Sequence, residues 1–313
     1  MVTRRYLRIK VLQAIYAKGK NSNEDFILSE KKLDKAIQDY QVLSVYFLSL
    51  LPEIVRYRTL RLDELKEKIN PTEKDLNPNT KFIDNKVIKQ IEENKNIKQF
   101  CKNNKIDWSD RYDFVAQIYV EIANSDFYLT YINSSESTYQ KDKDFILDIL
   151  SKIFAESELL HWFLEEKNVH WFDDYNDALL TAYKNIEKYK ENLSHEVKLI
   201  PLFKNEEDIT FYKELFRKTC LYNAEYQKRI DEKLQHWESE RIMEIDTILM
   251  KMAICELTLF QTIPVKVTIN EYIELAKLYS SRKSGVFING ILDSIITDLK
   301  NEGLLNKIGR GLI

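Results

Sequence analysis

Apolar residues recur at steps of three and four through the last quarter of the chain, from Arg241 to Gly303. This spacing places apolar side chains on one face of a helix. One such face is formed by Ile242, Ile245, Leu249, Met252 and Leu257. A second is formed by Ile288, Ile291, Ile295 and Leu299. With only 6 Gly and 5 Pro in 313 residues, the chain is poor in turn residues. The pattern therefore predicts an all-α fold built as a helical bundle.

A turn at Pro264 ends the first of these helical stretches, because proline cannot continue the helix before it. Thr268 and Glu271 have the spacing of a capping box, in which each side chain bonds to the backbone amide of the other residue. Val267 and Tyr272 stand where a hydrophobic staple would lie. The sequence therefore predicts that a new helix begins at Thr268.

Helical spacing also predicts helices in most of the preceding chain. We expect them at residues 4–18, 29–69, 87–102, 111–131, 144–166 and 171–190, and from residue 208 onward. Pro52 is expected to kink or split the second of these helices. Polar or proline-containing stretches predict loops at residues 70–80, 133–144 and 192–208.

The composition indicates a cellular compartment but does not indicate a binding partner. The net charge of −3 does not indicate a binding partner. The 3 cysteines have no paired spacing, which is typical of a reducing compartment. No run of about 18 apolar residues is present, so a membrane span is not expected. We therefore predict a cytoplasmic protein.

Motifs that carry catalysis or cofactor binding are missing from the sequence. There is no glycine-rich phosphate loop and no Gly-x-Ser-x-Gly element. The 4 histidines have no metal-ligand spacing, and no pair of carboxylates stands out as an acid/base dyad. We therefore expect no enzymatic activity, no cofactor and no metal site.

Basic residues cluster at the start of the first predicted helix. Arg4, Arg5 and Arg8 occupy an arc of roughly 100° at helical spacing. Cations at this end of a helix oppose the macrodipole, so they do not stabilise the helix. They suit a phosphate backbone, and guanidinium groups can stack on unpaired bases. The alternative is that they only solubilise the terminus.

A second basic and aromatic stretch lies further along the chain. It comprises Arg56, Tyr57 and Arg58, with Arg61 one turn later. This stretch is interpreted as a solvated helix face.

Several segments resemble the NusB family of bacterial transcription antitermination factors. The arginine-rich segment at residues 4–16 is similar to the first helix of that family, and residues 208–232 are similar to its third helix. Residues 246–257, 263–277 and 287–293 resemble the remainder, with the Pro-x-Lys-Val-x-Ile-Asn-Glu run as the most specific element. The resemblance implies a fold of two packed helical subdomains.

The family resemblance also implies a function. It implies binding of boxA-type single-stranded RNA together with NusE, a small-subunit ribosomal protein, in the RNA polymerase antitermination complex of ribosomal RNA operons. RNA contact is then expected at Arg4, Arg5, Arg8, Arg282, Lys283, Ser284 and Phe287. Asp246 and Met250 are expected on the side that faces NusE.

The length of the chain departs from the family pattern. Family members are commonly about half this length, and much of the N-terminal half has no counterpart. We therefore predict a NusB-like domain formed by residues 1–30 and 200–305. Residues 31–199 would form an additional inserted helical region of unknown role.

Two alternative functions remain open at this stage. NusB-like domains also precede RNA cytosine methyltransferases, so the chain could be the RNA-binding part of such an enzyme. It could also be a protein-binding helical scaffold whose inserted helices recruit a partner.

Overall fold

The computed structural model describes residues 1–21, 23–192, 197–234, 242–281 and 283–312, except for the side chains of residues 310 and 311. Every regular element within these ranges is helical, in agreement with the predicted all-α fold. The chain divides into two compact units. We call residues 2–37 and 203–313 the bundle unit, and residue 1 with residues 38–202 the inserted unit.

The bundle unit is assembled around one central helix. Its helices are α1 (Arg4–Lys20), the first turns of α2 (Phe26–Lys66), α11 (Glu206–Leu221), α12 (Asn223–Leu234), α13 (Glu244–Leu259), α14 (Val265–Tyr279) and α15 (Ser284–Asn301). Helix α13 packs against α1, α11, α12, α14 and α15. Residues 246, 248–250 and 252–257 of α13 are buried, so this helix forms the middle of the core.

The predicted apolar faces of the bundle unit are largely confirmed. Leu249, Met252 and Leu257 are fully buried in α13. Ile242 and Ile245, at the start of the same stretch, are only half-buried. In α15 the whole predicted set is buried, comprising Ile288, Ile291, Ile295 and Leu299. The three- and four-residue spacing therefore identified the core side of both helices.

The inserted unit has its own core, which is rich in aromatic residues. Its helices after α2 are α3 (Glu73–Leu76), α4 (Lys86–Glu93), α5 (Lys95–Asn104), α6 (Tyr112–Ala123), α7 (Asp126–Asn133), α8 (Tyr139–Asp148), a π-helical segment (Ile149–Phe154), α9 (Glu158–Lys167) and α10 (Trp171–Glu187). Phe47 of α2 is buried and its ring packs at 5.0 Å, edge to face, against Tyr175 of α10. Such aromatic packing contributes beyond the apolar area it buries.

Three helices predicted as long are each divided by a capping residue. Asn94 ends α4 and begins α5, and its side chain accepts hydrogen bonds from the amides of Asn96 and Ile97. Ser125 begins α7 and Ser157 begins α9 in the same way. The first amides of a helix have no partner within that helix. Each capping side chain accepts a hydrogen bond from such an amide, so a new helix starts after it. The apolar spacing is not interrupted at these caps, so the spacing did not predict where the helices divide.

The predicted capping box at Thr268 is wrong. Helix α14 begins at Val265, directly after Pro264 with φ −60°. Thr268 therefore lies one turn inside the helix, where it is fully buried and donates to a carboxylate of α13. Val267 is 43% exposed, so it does not form the predicted staple with the buried Tyr272. The fixed φ of proline suits the start of a helix, so the helix begins one turn earlier than a capping box at Thr268 would place it.

Helix α2 runs unbroken from Phe26 to Lys66, with Pro52 inside it. The expected split at Pro52 is therefore not observed. The predicted domain limit at residues 30 and 31 falls within this helix, and the units divide at residues 37 and 38 of the same helix. Within the described ranges, no helix combines the length and the apolar character that a membrane crossing requires.

Truncating the buried face of α1 should destabilise the bundle unit. We expect Leu7→Ala to lower the free energy of unfolding by about 2–5 kcal/mol, because Leu7 is fully buried and α1 packs on α11 and α13. The matched control is Leu278→Ala, at a leucine of α14 that is 65% exposed. Urea unfolding followed by circular dichroism measures both, and equal effects would contradict the observed packing.

Candidate nucleic-acid interface

Arg8 of α1 and Glu256 of α13 form a buried ion pair at the centre of the bundle unit. Arg8 Nε and Nη2 each donate to a carboxylate oxygen of Glu256 at 2.7 Å. The Arg8 side chain is 3% exposed and that of Glu256 is 0% exposed. This two-point geometry fixes both the position and the orientation of the guanidinium group.

Two further side chains complete the environment of Glu256. Thr268 donates to it at 2.8 Å and Tyr272 at 3.3 Å, both from α14. Burial alone would lower the pKa of Arg8, but the charge of Glu256 and its hydrogen bonds outweigh burial and raise this pKa above its ordinary value. Arg8 therefore remains charged, and its charge is neutralised inside the core rather than offered to a ligand.

Arg5 lies one turn away from Arg8 and is the more accessible of the two. Its Nη2 and Nε donate to Glu271 of α14 at 2.8 and 3.0 Å. The hydrogen bond from Arg5, then the charges of Arg8 and Arg5, lower the pKa of Glu271, although burial opposes this shift. The Arg5 side chain is 47% exposed. Its remaining nitrogen, Nη1, has no hydrogen-bond partner among the residues that the structure describes.

Arg4 is held by the first turn of α11. Its Nε donates to Asp208 at 3.2 Å and its Nη2 to Glu207 at 3.4 Å. The guanidinium group also lies 5.2 Å from the ring centre of Phe211. Its side chain is 34% exposed, and Glu207 is mostly exposed. An exposed pair such as Arg4 with Glu207 contributes little to stability, so another anion can replace Glu207 at small cost.

These contacts distinguish the three arginines that are predicted to contact RNA. Arg8 is 2% exposed and cannot reach a ligand without opening the core. It joins α1 to α13 and α14, and so positions the two arginines beside it. Arg4 and Arg5 each present part of a guanidinium group to solvent while a carboxylate holds the rest.

The loop before α15 has a different arrangement. Ser284 is buried and its hydroxyl donates to Asp246 of α13 at 2.8 Å. It also exchanges hydrogen bonds with the hydroxyls of Ser280 and Ser281. Ser284, which is also predicted to contact RNA, therefore fixes the loop through its hydroxyl. Lys283, next to it, is exposed.

The residues expected to face a protein partner are buried. Asp246 is 4% exposed and Met250 is 0% exposed, so neither side chain offers a contact surface. Asp246 instead holds the loop through Ser284, and Met250 belongs to the core of α13. Phe287 is half-buried in the first turn of α15. Arg282 lies outside the described residues.

The structure does not bring the two predicted basic clusters together. Arg8 contacts Glu256 at one end of α13, whereas Ser284 contacts Asp246 ten residues earlier. At 1.5 Å per residue, these points are about 15 Å apart along the helix.

Sequence reasoning missed the carboxylates that hold the arginines. Glu256 follows Met252 and Ala253 by four and three residues, on the buried face of α13. An acidic residue in such a stripe costs free energy unless a buried cation or hydrogen bonds compensate it. That signal could have predicted a buried partner. Within the described residues, no group of three or more His, Cys, Asp or Glu side chains is placed to hold a metal ion.

Breaking the buried ion pair should be costly. We expect Glu256→Ala to lower the free energy of unfolding by about 3–5 kcal/mol, because it leaves the Arg8 charge buried without its partner. Replacing both partners with Arg8→Met and Glu256→Leu should recover part of that loss, since no buried charge remains although Thr268 and Tyr272 lose their acceptor. Urea unfolding measures both variants. A double variant as unstable as Glu256→Ala would contradict this account.

Comparison with known proteins gives one family. The sequence model of the NusB family matches residues 177–297, a range that begins within α10 and ends within α15. The matched range does not include α1. The arginines of α1 lie beside the matched helices because α1 packs against α11 and α13. No solved structure matches.

Three curated relatives are each named transcription antitermination protein NusB. The protein from Salinibacter ruber is 42% identical over 123 residues, which is 39% of this chain and 77% of that protein. The one from Finegoldia magna is 35% identical over 100 residues, 32% of this chain and 73% of its own length. The one from Chloroherpeton thalassium is 49% identical over 78 residues, 25% of this chain and 37% of its own.

Proposed function

Since the chain belongs to the NusB family, we propose that it binds boxA-type single-stranded RNA together with the ribosomal protein NusE in the RNA polymerase antitermination complex. Family membership supports a role in transcription antitermination, because the matched relatives carry that name. The RNA, NusE and the site residues are the parts that we propose.

The observation that carries the proposal is the state of Arg5. Its guanidinium group is held along one edge by Glu271 while half of the side chain stays exposed. A guanidinium group held in this way loses little further freedom when it binds, and its outer edge and flat face remain available to a phosphate or a base. Unpaired RNA bases are the usual targets of such stacking.

Arg4 extends the same surface. Of its two carboxylate partners, Glu207 is mostly exposed, whereas the side chain of Asp208 is only 10% exposed. An RNA phosphate can take the place of Glu207 while Asp208 continues to hold the arginine. Arg8 takes no direct part in this proposal, and its role is to fix α1 to α13 and α14.

Lys283 supplies the other end of the proposed RNA path. It is exposed beside Ser284, whose bonds to Asp246 fix the loop. The points of α13 that anchor Arg8 and Ser284 are about 15 Å apart along the helix, a separation that suits an extended single strand better than one compact ligand. Phosphate contacts at both ends would set the position of the strand, and base contacts between them would set the sequence preference.

Reversing the charge of Arg5 should weaken RNA binding. We expect Arg5→Glu to reduce the affinity for a boxA-type RNA by about tenfold or more at 0.1 M salt, because it removes one contact and adds repulsion. Fluorescence anisotropy with a labelled RNA measures this, with and without NusE. NusE should tighten the binding of the wild-type chain.

The matched control for this experiment is Arg217→Glu. Arg217 is also 47% exposed and is also held at two points by one carboxylate, that of Glu30. It lies in the bundle unit, on α11. An Arg5→Glu variant that binds the RNA no more weakly than Arg217→Glu would overturn the proposed site.

A further inference from the structure

The inserted unit contains two cations with no carboxylate partner, held over the same aromatic ring. Arg111 lies 5.7 Å and Lys167 4.9 Å from the ring centre of Phe163. No carboxylate lies within 4 Å of either cation among the described residues. Both cations are exposed. We call these two side chains and the Phe163 ring beneath them the cationic corner.

The cationic corner differs from the arginine cluster of α1. Burial and then the charge of Arg111 lower the pKa of Lys167 from its ordinary value. Arg4, Arg5 and Arg8, by contrast, are all neutralised by carboxylates. Two like charges fixed over one ring repel each other, and an anion placed between them removes that repulsion. The arrangement is therefore suited to a phosphate.

The position of Phe163 is fixed by stacking beneath the cations. Its ring stacks on that of Phe114 at 4.2 Å and on that of Trp108 at 5.5 Å. Trp108 is itself held by a hydrogen bond from its indole nitrogen to Ser49 at 3.0 Å. The two cations therefore lie over a rigid support rather than on a mobile surface.

An exposed aromatic pair follows the cationic corner along the chain. Tyr112 follows Arg111 in the chain, is 43% exposed and packs at 5.0 Å against Tyr57 of α2. Arg61 is close enough to both tyrosines for their charges to affect its pKa, which Glu64 raises first. An exposed ring, which can stack on a base, therefore lies one residue along the chain from a site suited to a phosphate.

The row of tyrosines that begins at Tyr112 continues along α6. Arg58 lies 5.5 Å from the ring centre of Tyr119, and no carboxylate within 4 Å pairs with it in the described part of the chain. Tyr119 is seven residues after Tyr112, so both lie on one side of α6, about 10 Å apart. The basic and aromatic stretch of α2 is therefore more than a solvated face, because it packs beside a second row of tyrosines.

We propose that these cations and rings of the inserted unit form a second binding site for single-stranded RNA. Phosphates bind at Arg111 and Lys167, and bases stack on Tyr112 and Tyr57. Stacking is tolerant of sequence, so this site binds unpaired RNA without requiring boxA. The inference rests on the proposed function for its choice of ligand. A chain that binds one segment of an RNA binds that RNA more tightly when a second site holds another segment.

The test uses the full chain and two labelled RNAs of 12 nucleotides, an oligouridylate without boxA and a boxA-type RNA. Arg111→Gln with Lys167→Gln should weaken oligouridylate binding about tenfold at 0.1 M salt. The slope of log affinity against log salt should become shallower by about 1.4, because two phosphate contacts are lost. Ultraviolet cross-linking of oligouridylate should label Tyr112 or Tyr57.

The control is Lys89→Gln with Lys152→Gln, also in the inserted unit. Lys152 lies over the ring of Phe127 at 5.3 Å, but it is paired with Asp148, and Lys89 is paired with Asp84. This control should leave both the affinity and the salt slope for oligouridylate unchanged. A control loss equal to that of the test variant would show a general charge effect and overturn the inference.

Failure of this inference can be separated from failure of the proposed function. If Arg111→Gln with Lys167→Gln binds oligouridylate as the wild type does, the second site is overturned, and the corner serves another anion such as an acidic protein segment. If the wild-type chain binds the boxA-type RNA no more tightly than oligouridylate while the double variant loses oligouridylate binding, the proposed function fails and the second site is supported.

Discussion

The buried ion pair of Arg8 and Glu256 is the interaction on which the rest of the bundle unit depends. It joins α1, at the start of the chain, to α13, almost 250 residues later. Thr268 and Tyr272 bring α14 into the same group of contacts. A buried charge pair contributes little net stability over apolar packing, but it strongly disfavours any arrangement that separates its partners. It therefore fixes where α1 lies, and with it Arg4 and Arg5.

The sequence predicted the helices and the core side of α13 and α15, because apolar spacing reports burial directly. It did not separate the roles of the three arginines. Arg8 lies three residues before Val11 and next to Leu7, both fully buried, so its position overlaps the core stripe of α1. Spacing placed Arg8 in the same arc as Arg4 and Arg5, and only the acidic residue on the apolar face of α13 indicated that a buried partner was needed.

Local sequence patterns were misleading where tertiary contacts use the same residues. Thr268 and Glu271 have the spacing of a capping box, yet Thr268 binds Glu256 and Glu271 binds Arg5. In the inserted unit, Asn94 looks like any polar residue between two apolar runs. It divides a predicted helix because its carboxamide caps the next one and donates to Tyr189. No family pattern covers the middle of the chain, so its cation and ring contacts could be found only in the structure.

Chemical modification of arginine with phenylglyoxal, followed by mass spectrometry with and without saturating boxA-type RNA, tests the central claim most directly. The account predicts that Arg5 reacts in the free protein and is protected by RNA, that Arg8 does not react in either state, and that Arg217 reacts equally in both. Reaction of Arg8 in the folded free protein would contradict its role in the core. Reaction of Arg5 that saturating RNA leaves unchanged would contradict its role in binding.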